Sequence, residues 1–334
     1  MIFIRINGSE SVYYVHTFFL NLLQYWSVVN LHKWGKLVIT IIFILILFLL
    51  PIQKNSSTNT IKRITTLENI KEIQMYGEKG WLLKSNNQLM HTHNGIENFY
   101  KVNIPEIFIN DSEIIIYPYD DSTCYLLSYY ESQIIIASTF DCGETWEKAS
   151  IPAEFGNYGT YLSMINSKEG YLLYCSGSSP IMLKLYYTED GGKSFNFYSD
   201  ITNINSYVKD FYVSEGGISY IVVDFRGNVR NTTMFESTDL SNWTECEFNL
   251  DSNKTHYIND APAFTDQNNG YMFLTEKNSL NKIFFFKTTN GGKQWDEYDK
   301  IYRTTELVNM SINAKSKELY LIDSNGSVYI TNIK

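Results

Sequence analysis

From Ile61 onward the hydrophobic positions come in short runs of Ile, Val, Leu, Tyr and Phe, each soon broken by Asn, Gly, Asp or Ser. Such runs, bounded by turn residues, predict strands, and nothing in this region has the spacing of an amphipathic helix. The runs are also periodic. Six of them open on an aromatic: Trp81-Leu82-Leu83, Tyr125-Leu126-Leu127, Tyr171-Leu172-Leu173, Tyr220-Ile221-Val222, Tyr271-Met272-Phe273 and Tyr320-Leu321-Ile322. A second, polar feature keeps the same beat. The strings HTHNGIENF, STFDCGETW, YTEDGGKSF, ESTDLSNW and KTTNGGKQW place a turn acid or amide at Asn94, Asp141, Asp190, Asp239 and Asn290, at intervals of 47, 49, 49 and 51 residues.

Each unit has room for about four strands and cannot bury both faces of its sheet alone, so neighbours must stack, and radial stacking is the arrangement that suits them. The polar strings suit tight hairpins: the Asx side chain bonds the backbone of its own turn and glycine supplies positive φ. The aromatic that closes each string is expected to fold back as a buried plug. The sixth unit, from about Glu306, reads ELYLIDSNGSVYIT and stops at Lys334, short of a last strand, while IKRITT (residues 61–66) precedes the first unit and is the candidate to complete it. The reading is all-β, a six-bladed β-propeller with four-stranded antiparallel blades, seven being the fallback count. The propeller is expected over residues 68–334.

The hairpin strings resemble the Asp-box, or BNR repeat, S/T-x-D-x-G-x-T-W of sialidase-like propellers. Thr139, Asp141, Gly143, Thr145 and Trp146 match throughout; Thr188, Asp190, Gly192, Ser194 and Phe195 match closely. Thr288, Asn290, Gly292 and Trp295 match with Asn for Asp, and Asp239 with Trp243 form a shortened copy. The resemblance implies that these residues are structural and lie between the outer two strands, away from the functional face. It extends to photosystem II assembly factor-like propellers, which act as binding or assembly platforms but carry a basic patch. Here the chain beyond residue 60 holds 23 basic and 35 acidic residues, net −12, which departs from that patch and argues against nucleic acid as a partner.

Upstream, residues 37–52 read LVITIIFILILFLLPI without a charge, between Lys36 and Lys54. The run is slightly short for a span of about 20 residues, but flanking lysines can snorkel. No small-x-small cleavage site follows, so an uncleaved signal anchor over 34–53 is expected, with 1–33 an N-terminal extension and 54–67 a linker containing the ring-closing strand. Lys33 and Lys36 put the N-terminal side in the cytoplasm and the propeller outside, on a single-pass membrane protein.

The chemistry is less legible. A sialidase clamps its substrate carboxylate with three arginines, and the region from residue 61 has only Arg63, Arg226, Arg230 and Arg303, two of them in one unit, with no F/Y-R-I-P motif. Sialidase activity is therefore not expected. Another glycosidase would need only two carboxylates across a cleft, with Glu154, Asp210 and Asp260 as candidates before inner strands. Tyr158, Tyr161, Tyr207 and Tyr257 stand at the same places, and aromatics mixed with acids on a concave face suit a protein or carbohydrate ligand. The function expected is a non-catalytic binding or assembly module, with an atypical glycoside hydrolase as the alternative. No cofactor is implied. Cys124, Cys142, Cys175 and Cys246 form no CxxC pair and are expected as free thiols. His91 and His93 are expected as surface residues, and no metal set is expected.

Overall fold

The computed structural model describes residues 62–332 apart from 67–69, 97, 110–113, 154–157, 178–180, 216, 226–230, 247–255, 259–261, 277–278, 303–306, 314–317 and 324. The expected anchor, residues 34–53, and the extension before it lie outside the described residues. No helix among the described residues is long and apolar enough to cross a membrane.

The strands form six antiparallel sheets, five of them meanders in chain order and the sixth completed by a strand from the other end of the chain. Blade 1 contains Ile70–Tyr76, Lys79–Lys84, Leu89–Thr92 and Tyr100–Lys101; blade 2 contains Ile115–Pro118, Cys124–Tyr130, Gln133–Thr139 and Glu147–Pro152. Blade 3 is built from Gly159–Met164, Gly170–Ser176, Met182–Thr188 and Asn196–Ile201, and blade 4 from Tyr207–Val213, Ser219–Phe225, Asn231–Ser237 and Thr244–Glu245. Blade 5 has a split inner strand, His256–Ile258 and Ala263–Phe264, followed by Gly270–Glu276, Ser279–Thr288 and Asp296–Tyr302. Blade 6 has Leu307–Asn313, Glu318–Asp323 and Ser327–Asn332, and its fourth strand is Lys62–Thr66 from the other end of the chain, paired antiparallel with Lys62 opposite Ile330 and Thr66 opposite Ser327.

The core is six interfaces between blades, closed around the ring. Leu82 and Met75 of blade 1 pack with Tyr320 and Ile322 of blade 6, while Trp81 and Leu83 on the other face pack with Leu126 and Ala137 of blade 2. The second strand of each blade is thus apolar on both sides, which explains the unbroken aromatic-led triplets. One short departure from all-β is a single helical turn, Glu106–Ile109 (α1), in the connection from blade 1 to blade 2; it buries Phe108 against the blade 1–blade 2 interface.

The polar strings are the hairpins between third and fourth strands. In the second, Thr139 Oγ1 donates to Asp141 Oδ1 (2.8 Å) and accepts from Gly143 N (2.9 Å), while Thr145 donates its backbone N–H and hydroxyl to the two oxygens of Asp141 (2.9 and 2.6 Å). The third repeats this network through Thr188, Asp190, Gly192 and Ser194. The fifth keeps the backbone part through Thr288, Asn290 and Gly292, but its Gln294 side chain turns to Asp296. In the shortened fourth copy Asn242 replaces the hydroxyl, donating to Asp239 at 2.7 Å from both backbone and side chain.

The plugs differ from expectation. Trp243 is buried, but Trp146, Phe195 and Trp295 are only half-buried, and all four pack at the seam with the preceding blade. Trp146 Nε1 donates to Asn103 O at 2.9 Å, in the preceding connection.

The glycines of these turns explain why the two sequence features share a period. Gly192 has φ 84° and a Cβ there would come 2.9 Å from the Tyr125 ring; Gly292 has φ 90° and a Cβ there would overlap the Tyr220 hydroxyl. Tyr125 also donates to Gly191 O at 3.2 Å. The aromatic of one blade's second strand therefore seats against the turn of the next blade.

The turn acids titrate low. Hydrogen bonds from the Thr145 hydroxyl and backbone hold Asp141 down, and those from Asn242 hold Asp239 down; at Asp190 burial pushes upward but the Ser194 bonds outweigh it. A carboxylate whose folded value lies below its unfolded value, about 3.9, stabilises fully above that value and stops doing so as pH falls through the folded one. The melting-temperature gap between wild type and the triple variant Asp141→Asn, Asp190→Asn, Asp239→Asn is therefore expected to hold steady above about pH 5 and to close below about pH 4. A gap of constant size across that range would refute this role.

Candidate functional site: the central channel

Successive antiparallel strands put the first–second and third–fourth hairpins of every blade on one face, here the turn face. Gly191 N donates to Lys168 O (2.8 Å) and Gly291 N to Asn268 O (2.9 Å), tying the two hairpins of a blade together there. The opposite face, the mouth face, carries the second–third hairpins and the connections between blades. The inner strands line a channel between the faces, with cavities of about 420 Å³ toward the mouth face and about 370 Å³ toward the turn face.

Strand register divides the channel into layers. Residues opposite the leading aromatics of the second strands are Gln74, Tyr117, Ser163, Tyr212, Ala263 and Ser311. Several of these are struts: Gln74 Nε2 donates to Ile312 O (2.9 Å), Tyr117 OH to Thr160 O (2.9 Å), and Ser163 Oγ accepts from Val213 N (2.9 Å), each crossing to a neighbouring blade. The layer nearer the mouth, opposite the third residue of each triplet, contains Glu72, Ile115, Tyr161, Asp210 and Asn309.

Glu72 and Asp210 reach this layer by the same device. Each follows a β-bulge in its inner strand, between Ile70 and Glu72 in blade 1 and between Val208 and Asp210 in blade 4, and a bulge re-aims the side chain after it. Blades 1 and 4 stand across the ring from each other, and both carboxylates line the same cavity. Asp210 Oδ1 accepts from Phe211 N at 2.8 Å. Burial first, then the charges of Asp210 and Glu72, push the Tyr117 hydroxyl well up, the wrong direction for an activated tyrosine nucleophile.

Of the residues expected at a ligand face, Tyr161 is in the channel, donating to Val208 O at 2.6 Å. Tyr158 lies on the mouth face, 45% exposed, its ring 6.1 Å from that of Tyr207 in the next blade, and neither ring lines the two cavities. Tyr257 falls on the short strand His256–Ile258, with its side chain outside the described residues; Asp260 and Glu154 lie outside them altogether, as do Arg226, Arg230 and Arg303. Glu72 escapes a reading that looks only before the inner strands. Its signal in the sequence is the pair Lys71-Glu72, matched by Lys209-Asp210 at the equivalent bulge.

The expectation that His91 is a surface residue is corrected, while His93 is exposed. His91 is buried, 3% exposed, because the third strand of blade 1 ends at Thr92 and turns it under the seam with blade 2. The seam brings His91, His93 and Cys142 together, with ligand atoms all within 4.8 Å of one another. All four cysteines are free thiols, Cys124 and Cys175 buried.

The closed ring of four-stranded sheets around a lined channel makes this chain a β-propeller protein with a repeated-blade architecture. No family model matches it, and no curated protein matches it. Among solved structures it is similar to YCF48 bound to D1 peptide, with 13% identity and a TM-score of 0.51 over 81% of each chain. It is also similar to a chain of the Mitotic Checkpoint Complex, with 9% identity and a TM-score of 0.50 over 83% of this chain and 95% of that one. At such identities the likeness speaks for the fold.

Proposed function

We propose that this chain is a membrane-anchored, extracytoplasmic Asp-box propeller that works as a non-catalytic binding or assembly module, taking a protein segment or glycan at the mouth of its channel. The observation that carries the reading is the mouth itself: the exposed Tyr158 ring beside Tyr207, above a layer holding Tyr161 and Asp210. Aromatic faces with a few fixed polar groups are what a bound peptide or sugar needs. The Thr139–Asp141 and Thr188–Asp190 networks support membership of the Asp-box, sialidase-like propellers, and the uncharged run at residues 37–52 supports the anchor. The YCF48 structure with D1 peptide offers a precedent for a propeller of this kind holding a peptide.

Peptide and glycan arrays probed with the full chain test the reading. Tyr158→Ala is expected to weaken the ligand found by at least about tenfold, a hot-spot loss, while Glu144→Ala on the turn face leaves binding unchanged. The opposite pattern would defeat the proposal. Carbonate extraction that releases the chain from membranes would defeat the anchor.

Glu72 and Asp210 in one cavity also favour a second reading, an atypical glycoside hydrolase, since two carboxylates across a cleft are that chemistry's minimum. It requires that hydrolysis of a chromogenic glycoside be lost in both Glu72→Gln and Asp210→Asn.

A further inference from the structure

The first two hairpins depart from their repeat partners at three positions, and the departures meet. Flanking the hairpin threonine, where the first copy has His91 and His93, the others have Ser138 and Phe140, Tyr187 and Glu189, Glu236 and Thr238, and Lys287 and Thr289. Only the first copy has imidazoles there. At the position of Cys142, the third and fifth copies have Gly191 and Gly291 in the left-handed region, φ 76° and 73°. Cys142 adopts the same conformation at φ 62°, where a side chain costs about 1–2 kcal/mol. The fourth copy also carries a side chain in this conformation, Leu240 at φ 60°, so the turn tolerates one; what sets the second copy apart is that its side chain is a thiol placed opposite histidines that no other copy has.

The surroundings of these residues are those of a ligand set. His91 is fixed by the Trp81 ring, centroids 4.5 Å apart, and its Nε2 lies 2.8 Å from Asp121 O. A carbonyl only accepts, so Nε2 carries the proton and the lone pair falls to Nδ1. Metal-ligating histidines are oriented in just this way by a carbonyl on their other nitrogen. His93 is exposed and packs against His91, centroids 4.6 Å apart, leaving approach from solvent. Bond lengths of about 2.0–2.3 Å around a tetrahedral zinc separate its ligand atoms by roughly 3.3–3.8 Å. The ligand atoms lie within 4.8 Å of one another, so binding would draw them together by roughly 1 Å or less. Lys79, whose charge acts on both His91 and Cys142, is paired with Asp121 at 3.1 Å.

We propose that His91, His93 and Cys142 form a binding site for a zinc-class transition-metal ion across the seam of blades 1 and 2, with the fourth position open to water. Two imidazoles and a thiolate suit Zn²⁺, Co²⁺ or Cu⁺ and disfavour Ca²⁺ and Mg²⁺. Such an ion would tie the third–fourth hairpin of blade 1 to that of blade 2.

The test is titration of the reduced, metal-free full chain with Co²⁺. The expected result is a sulfur-to-cobalt charge-transfer band in the near ultraviolet, saturating at one equivalent and displaced by Zn²⁺. The band is expected to vanish in Cys142→Ser, and the affinity to fall at least about tenfold in His93→Asn. At one fixed Zn²⁺ concentration the melting temperature of wild type is expected to rise more than that of either variant, each compared with its own metal-free form. No band, a band that survives Cys142→Ser, or an unchanged affinity in His93→Asn overturns the site.

Discussion

Internal deletion of residues 62–66 is expected to lower the stability of the propeller by about 3–5 kcal/mol, taking several ladder hydrogen bonds at about 1 kcal/mol net each. Lys62–Thr66 is the outer strand of a blade whose other three strands come from the far end of the chain, and it pairs along Ser327–Asn332. Without it the last strand becomes an unprotected edge, and exposed edges promote association as well as loss of stability. Against a typical total of about 5–15 kcal/mol, such a loss is large. Thermal melting should show a lower and broader transition, and a synthetic peptide spanning residues 60–68 should restore part of it. An unchanged melting temperature would mean that the ring does not depend on this closure.

The other large effect is expected at Gly292. Gly292→Ala forces a side chain to φ 90°, at about 1–2 kcal/mol, and drives its Cβ into the buried Tyr220 hydroxyl, which adds an overpacking cost of about 1–3 kcal/mol. Tyr220 OH has no hydrogen-bond partner among the described residues, so Tyr220→Phe alone costs little. In the double variant the hydroxyl overlap is gone and a close approach of 3.1 Å to the ring carbon remains, so part of the overpacking share should return. Denaturant melts of the four proteins in this cycle measure the coupling; strict additivity would show that Tyr220 and the turn do not touch.

These two experiments mark what is legible in the sequence. The aromatic-led strands and the glycine turns recur together because Tyr125 meets the third hairpin and Tyr220 the fifth, so one contact is written twice in each period. The blade count follows from that repeat, and the missing last strand of the sixth unit follows from its length. The site is legible only in part. Tyr161, Tyr207 and Asp210 stand out because they lie at or near the starts of inner strands, whereas the bulge that aims both Asp210 and Glu72 is not revealed by alternation. The plug reading of Trp146 fails in detail because burial there depends on the preceding blade. His91, His93 and Cys142 look unremarkable in line, since only the packing of one blade on the next brings them together.

On the proposed function the mouth of the channel binds a ligand and does not cleave it. The direct measurement places a photo-crosslinking amino acid at position 158 on the mouth and, in a second protein, at position 144 on the turn face. Each is irradiated with the ligand found on the arrays, and the adducts are weighed by mass spectrometry. An adduct of intact ligand is expected from position 158 and none from position 144. An adduct from position 144 alone, or ligand recovered from position 158 in cleaved form, would contradict the proposed function.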